Sequence, residues 1–452
     1  MLNEPASTHD DRPALQAPAP SVAAEADQRI DSIREMVGAV LAIDSELVDD
    51  SDGGMIKDQS LLLMPGSRLL ISFEGQLLID SETAYEQLDK GMKAHNLIPI
   101  FREKLAQPSA PFGSGGAMHI VHVLEGRVQP APRSATINLV LLIATFFSVL
   151  LVGLNTAINE VAASDPAAAQ TILENGFLEL WRGLPYALSI MLILGGHELG
   201  HYFAARRHKV AVTLPYFLPL PFISLFGTLG AFIQLREPIR NRKVLMDIGA
   251  SGPLVGLVIA IPILLIGLAT STVGEISTGG IFEGDSILYA LAKFTVLGRF
   301  LPDGQQDVFV NQMAWAGWTG LFVTGLNLIP VGQLDGGHVL YALIGRQARR
   351  LFYPMLLGLA ALTLFASSAL WLLLILLFFF GRIHATPLDD ITRLDQGRQR
   401  LAFVTIVVFF LVFVPAPLTQ NSATNGLIMG AVMLSAAPAL LTRLWQRLRS
   451  QA

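Results

Sequence analysis

The chain has 452 residues, 52% of them hydrophobic and 15% charged. Soluble domains usually carry about 25% charged residues, so an ordinary soluble protein is excluded. A net charge of −5 gives no basic field for nucleic acid, and the absence of cysteine excludes disulfides and thiolate ligands, leaving His, Asp and Glu to hold any metal.

Residues 1–27 are dominated by Ala, Pro and Ser and read as a disordered tail. They lack the basic and apolar blocks of a secretory signal and carry too many acids for a transit peptide. Residues 28–130 read as a small soluble α+β domain, expected in the cytoplasm. Helical periodicity covers 29–42. "SRLLISFEGQLLID" (67–80) reads as strand, glycine turn, strand, and "SETAYEQLDKGMKAH" (81–95) as an amphipathic helix capped by Ser81. Further strands are expected at 97–103 and 117–126, with 106–116 as a loop.

From residue 135 the chain reads as membrane. "ATINLVLLIATFFSVLLVGLNTA" (135–157) is uncharged and long enough to span. Further spans are expected at 183–205, 244–269 and 308–330, the last ended by Pro330. Residues 351–380 are too long for one comfortable span, and "ASSA" (366–369) offers a turn between two short ones. Spans seven and eight fall at 401–418 and 425–442. The expected fold is therefore a polytopic α-helical membrane protein of about eight spans with a small N-terminal soluble α+β domain. The domain plan is a tail (1–27), the α+β domain (28–130), a membrane core (135–345) and C-terminal helices (351–445). Arg206, Arg207 and Lys209, then Arg236, Arg240, Arg242 and Lys243, flank spans two and three, whereas loops 159–182 and 271–307 are acidic. The positive-inside rule puts both termini in the cytoplasm.

The second span contains "GGHELGH" (195–201). On a helix, His197 and His201 share one face, where two imidazoles can bind one zinc, and Glu198 beside them can take a proton from water. A plain pair of packing histidines is the bland alternative. A Glu deep in lipid is costly, however, and usually marks function. Gly196 and Gly200 form a small-xxx-small pattern that admits a close neighbouring helix. A catalytic zinc keeps three protein ligands, so a third donor is needed. Asp335, in "NLIPVGQLDGGHVLYAL" (327–343), is one candidate, although it also reads as the N-cap of a helix over 336–345. Asp247 is its rival, but it lies four residues from Lys243 and suits an ion pair or a helix-dipole contact. His338 reads as a packing or solvated residue, and His119 and His122 as surface residues of the soluble domain.

HELGH in one span, with N-x-x-P-x-x-x-L-D-G-G at the end of a later one, resembles the site-2 protease family of intramembrane zinc metalloproteases. The resemblance covers about residues 135–345 and includes "GTLGAFIQ" (227–234) and "GASGPLVGL" (249–257). The soluble N-terminal domain resembles the bacterial and plastid branch of that family. Gly256 is a departure, since many relatives carry Asn near it. The resemblance implies one zinc per chain held by His197, His201 and Asp335, with Glu198 as the base. It also implies that Asn327 contacts substrate or the developing oxyanion. The implied activity is hydrolysis of peptide bonds in or near transmembrane segments of membrane proteins, that is, regulated intramembrane proteolysis. The implied setting is a lipid bilayer, expected to be a bacterial inner membrane, with no nucleic-acid partner. Oligomeric state is not readable.

"VTLPYFLPLPFISLFGTLGAFIQL" (212–235) is apolar, yet Pro215, Pro219 and Pro221 preclude a regular helix in its first half. A re-entrant hairpin is expected there, with an edge strand near 227–235 able to pair with an unwound substrate. A short proline-broken span is the alternative. Two other functions compete. One is a zincin with a Glu third ligand and a cytoplasmic catalytic domain. The other is a membrane zinc-binding protein without protease activity, either a transporter or a scaffold.

Overall fold

The computed structural model describes residues 22–48, 67–104, 118–127, 134–276, 282–365, 370–382 and 385–419. It divides into an N-terminal unit and a helical unit.

The N-terminal unit contains α1 (Val22–Gly38), β1 (Leu41–Val48), β2 (Arg68–Leu77), α2 (Ser81–Lys93), β3 (Leu97–Glu103) and β4 (His119–Glu125). Its strands form one antiparallel sheet in the order β1-β2-β4-β3. Period-two alternation sends Ile71, Phe73, Val121 and Val123 into the core with Ala84, Leu88 and Met92 of α2. Several sequence expectations are corrected. The helix α1 starts within the expected tail and stops at Gly38, so that β1 takes over before the periodic stretch ends. Residues 67–80 do not turn at Gly75. The strand β2 runs through it, because a Cβ at Gly75 would lie 1.9 Å from the Ala42 carbonyl oxygen of β1. Asp80, not Ser81, caps α2, its carboxylate accepting from Thr83 N at 3.0 Å. His122 Nδ1 is hydrogen-bonded to Ser72 Oγ at 2.8 Å.

The helical unit begins with α3 (Thr136–Ala162), α4 (Pro166–Asn175), a 3-10 helix (Gly176–Gly183) and α5 (Leu184–Arg207). A hairpin of β5 (Tyr216–Pro219) and β6 (Thr228–Phe232) follows, then α6 (Arg242–Ala269). The next elements are β7 (Thr272–Glu275), β8 (Phe282–Glu283), α7 (Ile287–Leu297), β9 (Gln306–Phe309) and α8 (Gln312–Asn327). The unit continues with α9 (Asp335–Ile344), a 3-10 helix (Gly345–Leu351), α10 (Phe352–Phe365), α11 (Trp371–Phe380), α12 (Gln396–Val412) and β10 (Leu418–Thr419).

Among the described residues, four helical stretches are long and apolar enough to cross a membrane: Thr136–Ala162, Pro166–Arg207, Arg242–Ala269 and Asp335–Phe365. The fourth expected span is shorter than its apolar run. Residues 306–309 pair as β9 with β7, leaving α8 with 16 residues, or about 24 Å. Residues 351–380 form two helices of 14 and 10 residues, each shorter than the roughly 30 Å hydrocarbon layer. The expected turn at 366–369 and the eighth span lie outside the described residues.

The core sits where α6 meets α5, α8 and α9. Leu264, Leu268 and Ala260 of α6 are buried with Trp318 and Leu321 of α8 and Tyr289 of α7. At the basic end, the buried Asp390 carboxylate takes Arg242 Nε at 2.9 Å, Arg346 Nε at 3.4 Å and the Tyr341 hydroxyl at 3.1 Å. That network ties the start of α6 to the end of α9.

The opposite end holds a second charged cluster. Lys293 is 1% exposed, with Nζ 2.7 Å from Asp285 Oδ1 and 4.6 Å from the Tyr289 ring centre. The Tyr289 hydroxyl donates to Glu283 Oε1 at 2.8 Å. Desolvation pushes the Glu283 carboxyl up to about 7, with Lys293 pulling the other way. The folded chain therefore holds a proton that the unfolded chain has released, so stability falls as pH rises from about 4.5 to about 7. Thermal unfolding in detergent across that range is expected to show this fall, and Glu283→Gln to flatten it. An unchanged slope in the variant would remove Glu283 as its source.

Candidate metal centre

The site is assembled by α5, α6, α8 and α9. The helix α5 carries His197, Glu198 and His201, all buried, with 4%, 5% and 6% of their surface exposed. The helix continues to Arg207, so His197 lies ten residues, about 15 Å, from its end. Asp335 is the first residue of α9. Leu334 occupies the cap position with extended backbone, and no side chain caps the helix. Asp335 does not take the N-cap role, and its carboxylate faces the imidazoles instead.

Three side chains form a tight triangle of donors. His197 Nε2 and His201 Nε2 are 3.1 Å apart, His197 Nε2 is 3.2 Å from Asp335 Oδ2, and His201 Nε2 is 3.3 Å from Asp335 Oδ1. Ligand atoms about 2.0 Å from a tetrahedral metal are separated by about 3.3 Å, so the triangle fits one ion. Two imidazoles and a carboxylate also match the donor chemistry of catalytic zinc. Among the described residues this is the one group of three or more such side chains close enough to share a metal.

His201 is held from behind. His201 Nδ1 lies 2.7 Å from the Ile248 carbonyl. A carbonyl can only accept, so the proton sits on Nδ1 and the Nε2 lone pair faces the site. The closest packing is at Gly252 of α6, where a Cβ would lie 2.1 Å from His201 Nε2. Gly256 packs on His197, its missing Cβ 3.2 Å from that of His197. These two contacts explain why α6 needs small residues here. Gly252→Ala is expected to displace the His201 ring and weaken metal affinity roughly 10- to 100-fold, as read by zinc titration. Gly256→Ala, where the space is larger, should cost less. Full affinity in Gly252→Ala would show that α6 does not set the ring.

Glu198 Oε1 is 3.9 Å from His197 Nε2, beside the triangle and outside it. The backbone N–H of Ile233, just after β6, lies close enough to the Glu198 carboxylate to favour its charged form. Asn327, the last residue of α8, places Nδ2 3.4 Å from His197 Nε2. The structure thus brings together all five residues singled out from the sequence. Asp247, the rival ligand, is elsewhere. It pairs with Arg398 at 2.8 and 2.6 Å and with His208 Nε2 at 2.8 Å, a corner that joins α5, α6 and α12. His338 packs its Cβ close to Gly249 and lies outside the triangle. Ile233 N–H, the Ile248 carbonyl and Gly252 were missed in the sequence. Only the small-residue spacing at 249, 252 and 256 hinted at the last.

The His-His-Asp group with an adjacent glutamate, carried by helices apolar and long enough to cross a membrane, has the side-chain chemistry of a metal-dependent hydrolase. Residues 185–369 match the model of Peptidase family M50, so the chain carries a domain of that family. The chain is similar to three proteins of Arabidopsis thaliana. It is 31% identical to the probable zinc metalloprotease EGY2, chloroplastic, over 57% of this chain and 47% of that protein. It is 29% identical to the probable zinc metalloprotease EGY1, chloroplastic, over 76% and 66%, and 27% identical to the probable zinc metallopeptidase EGY3, chloroplastic, over 51% and 43%. The chain thus spans about half to two thirds of the length of these relatives. No solved structure matches.

Proposed function

We propose that the chain is a zinc metalloprotease of the site-2 type that hydrolyses peptide bonds in or near transmembrane segments of membrane proteins. The observation that carries this reading is the convergence of His197, His201 and Asp335, with the Glu198 carboxylate beside them, about 15 Å inside an apolar helix. The M50 domain and the zinc metalloprotease relatives support it.

Zinc held by the two Nε2 atoms and the Asp335 carboxylate would supply Lewis acidity, with a fourth position left for a reactant. The chain's own groups do the rest. Glu198 takes a proton from water and returns it to the leaving amine. Asn327 Nδ2–H donates to the oxygen of the scissile carbonyl. The strand β6 has β5 on one edge, and its exposed Leu229 and Phe232 mark an accessible strand. An unwound substrate segment adds to its free edge by main-chain hydrogen bonds. Pairing of this kind would replace the substrate's own helical hydrogen bonds with bonds to β6 and leave the scissile bond extended.

The finer placement is also part of the proposal. Residues 135–345 form the catalytic membrane core, about eight segments lie in the membrane, and both termini face the cytoplasm of a bacterium. The basic loops after α5 and before α6, against the acidic 271–307 loop, support the sidedness. The test is cleavage of a tagged single-span reporter by the purified protein in proteoliposomes. A chelator should stop cleavage and added zinc should restore it. Cleavage indifferent to chelation would defeat the zinc reading. A zinc protein that cleaves no reporter would favour the transporter or scaffold alternative.

A further inference from the structure

The β5–β6 hairpin is irregular backbone inside an apolar unit. Such backbone is tolerated at membrane depth only where protein groups satisfy it. The carbonyls of Leu214, Pro215 and Phe226 lie outside the ladder of the hairpin, and three buried or partly buried side chains reach the ends of that ladder. Asn138 Nδ2, on α3, donates to the carbonyls of Leu214 at 2.8 Å and Pro215 at 3.0 Å. Ser148 Oγ, ten residues further along α3, donates to the Gly227 carbonyl. The Tyr186 hydroxyl, on α5, donates to the Phe226 carbonyl at 3.1 Å. One helix thus grips both ends of the hairpin, where the chain enters and where it turns back.

The return corner is fixed further. The Phe226 ring packs 5.9 Å from Trp315, 6.3 Å from Trp318 and 5.9 Å from Phe322, all on α8. Gly227 has φ +74, and a Cβ there would meet the Ser148 carbonyl at 2.9 Å. The tip between the strands is not gripped, with Phe222 and Ile223 90% and 80% exposed. From the fixed corner, β6 runs directly to Ile233, whose N–H meets Glu198.

We propose that Asn138, Ser148 and Tyr186 are positioning residues that lock the register of β6 against Glu198 and so select which peptide bond of a paired substrate is cut. This rests on the proposed protease reading. A slip of one residue moves a strand by about 3.3 Å and reverses its faces. That distance exceeds the width of a hydrogen bond's useful range, so a loosened hairpin presents a neighbouring bond, or none, to the base.

The test uses the full chain in proteoliposomes with the single-span reporter. The variants are Asn138→Ala, Ser148→Ala, Tyr186→Phe and the hydroxyl-retaining Ser148→Thr. Thr145→Ala is the control, because Thr145 is fully buried on α3 and its hydroxyl has no hydrogen-bond partner among the described residues. Product mass spectrometry reads the cleaved bond, kinetics separate kcat from KM, elemental analysis counts zinc, and hydrogen exchange follows residues 226–233. Ser148→Ala and Asn138→Ala are expected to keep one zinc per chain. Their kcat should fall about tenfold, adjacent bonds should be cut, and exchange over 226–233 should rise at least tenfold. Ser148→Thr should restore the single cut, and Thr145→Ala should match the wild type. An unchanged cut site with unchanged exchange overturns the proposal, as does parallel loss of zinc. If the wild type cleaves nothing, the protease reading fails, and exchange over 226–233 still decides whether these side chains hold the hairpin.

Discussion

Glu198→Gln is expected to leave one zinc per chain and to lower reporter cleavage by roughly 10²- to 10⁴-fold, the usual worth of a positioned general base. The reason is geometric. Glu198 Oε1 stands 3.9 Å from His197 Nε2, outside the donor triangle, so the metal does not need it. Gln keeps the volume and an oxygen for the Ile233 N–H, so the hairpin contact survives. What Gln loses is the ability to take and return a proton. The measurement pairs zinc per chain with the cleavage rate in the same proteoliposomes. Cleavage within a factor of ten of the wild type would remove Glu198 from the mechanism.

Asp335→Ala should behave in the opposite way, losing metal and activity together. Its two oxygens lie 3.2 and 3.3 Å from the imidazole Nε2 atoms. Removing them leaves two neutral donors and no charge to offset a divalent cation. Cleavage should fall to background, and zinc per chain should drop well below one after brief dialysis against a chelator. Asp335→Asn, which keeps the shape without the charge, is expected to bind zinc weakly and regain part of the rate when zinc is in excess. Stoichiometric zinc in Asp335→Ala would mean that another residue completes the site. The two variants together separate holding the ion from moving the proton.

Much of this centre was legible because its chemistry is local. His197 and His201 share a face by helical arithmetic, and Glu198 follows from the same motif. Asp335 was ambiguous, since a helix start favours Asp both as a cap and as a ligand at its mouth. Only the backbone at Leu334 separates the two roles. Asp247 forms an ion pair, as the sequence suggested, but with partners that the sequence did not name. The sequence showed Lys243 one turn away, but the partners are His208 and Arg398, 39 and 151 positions distant, and no local spacing encodes such pairs.

The fold divides in the same way. The helices α3, α5 and α6 follow from long apolar runs. The helix α8 came out short because apolar residues serve equally in β9, whose pairing with β7 depends on a strand more than thirty residues earlier. Gly75 read as a turn because a glycine permits one, whereas here it permits the close approach of β1. Gly252 carried no signal of its own in the sequence, because what requires it is the His201 imidazole of another helix.

The most direct test of the central claim is zinc K-edge X-ray absorption on the purified full chain, wild type against His201→Ala. The account predicts two imidazoles and carboxylate or water oxygen at about 2.0–2.2 Å in the wild type, with one imidazole lost in the variant. A first shell without imidazole, or one that His201→Ala leaves unaltered, would contradict it.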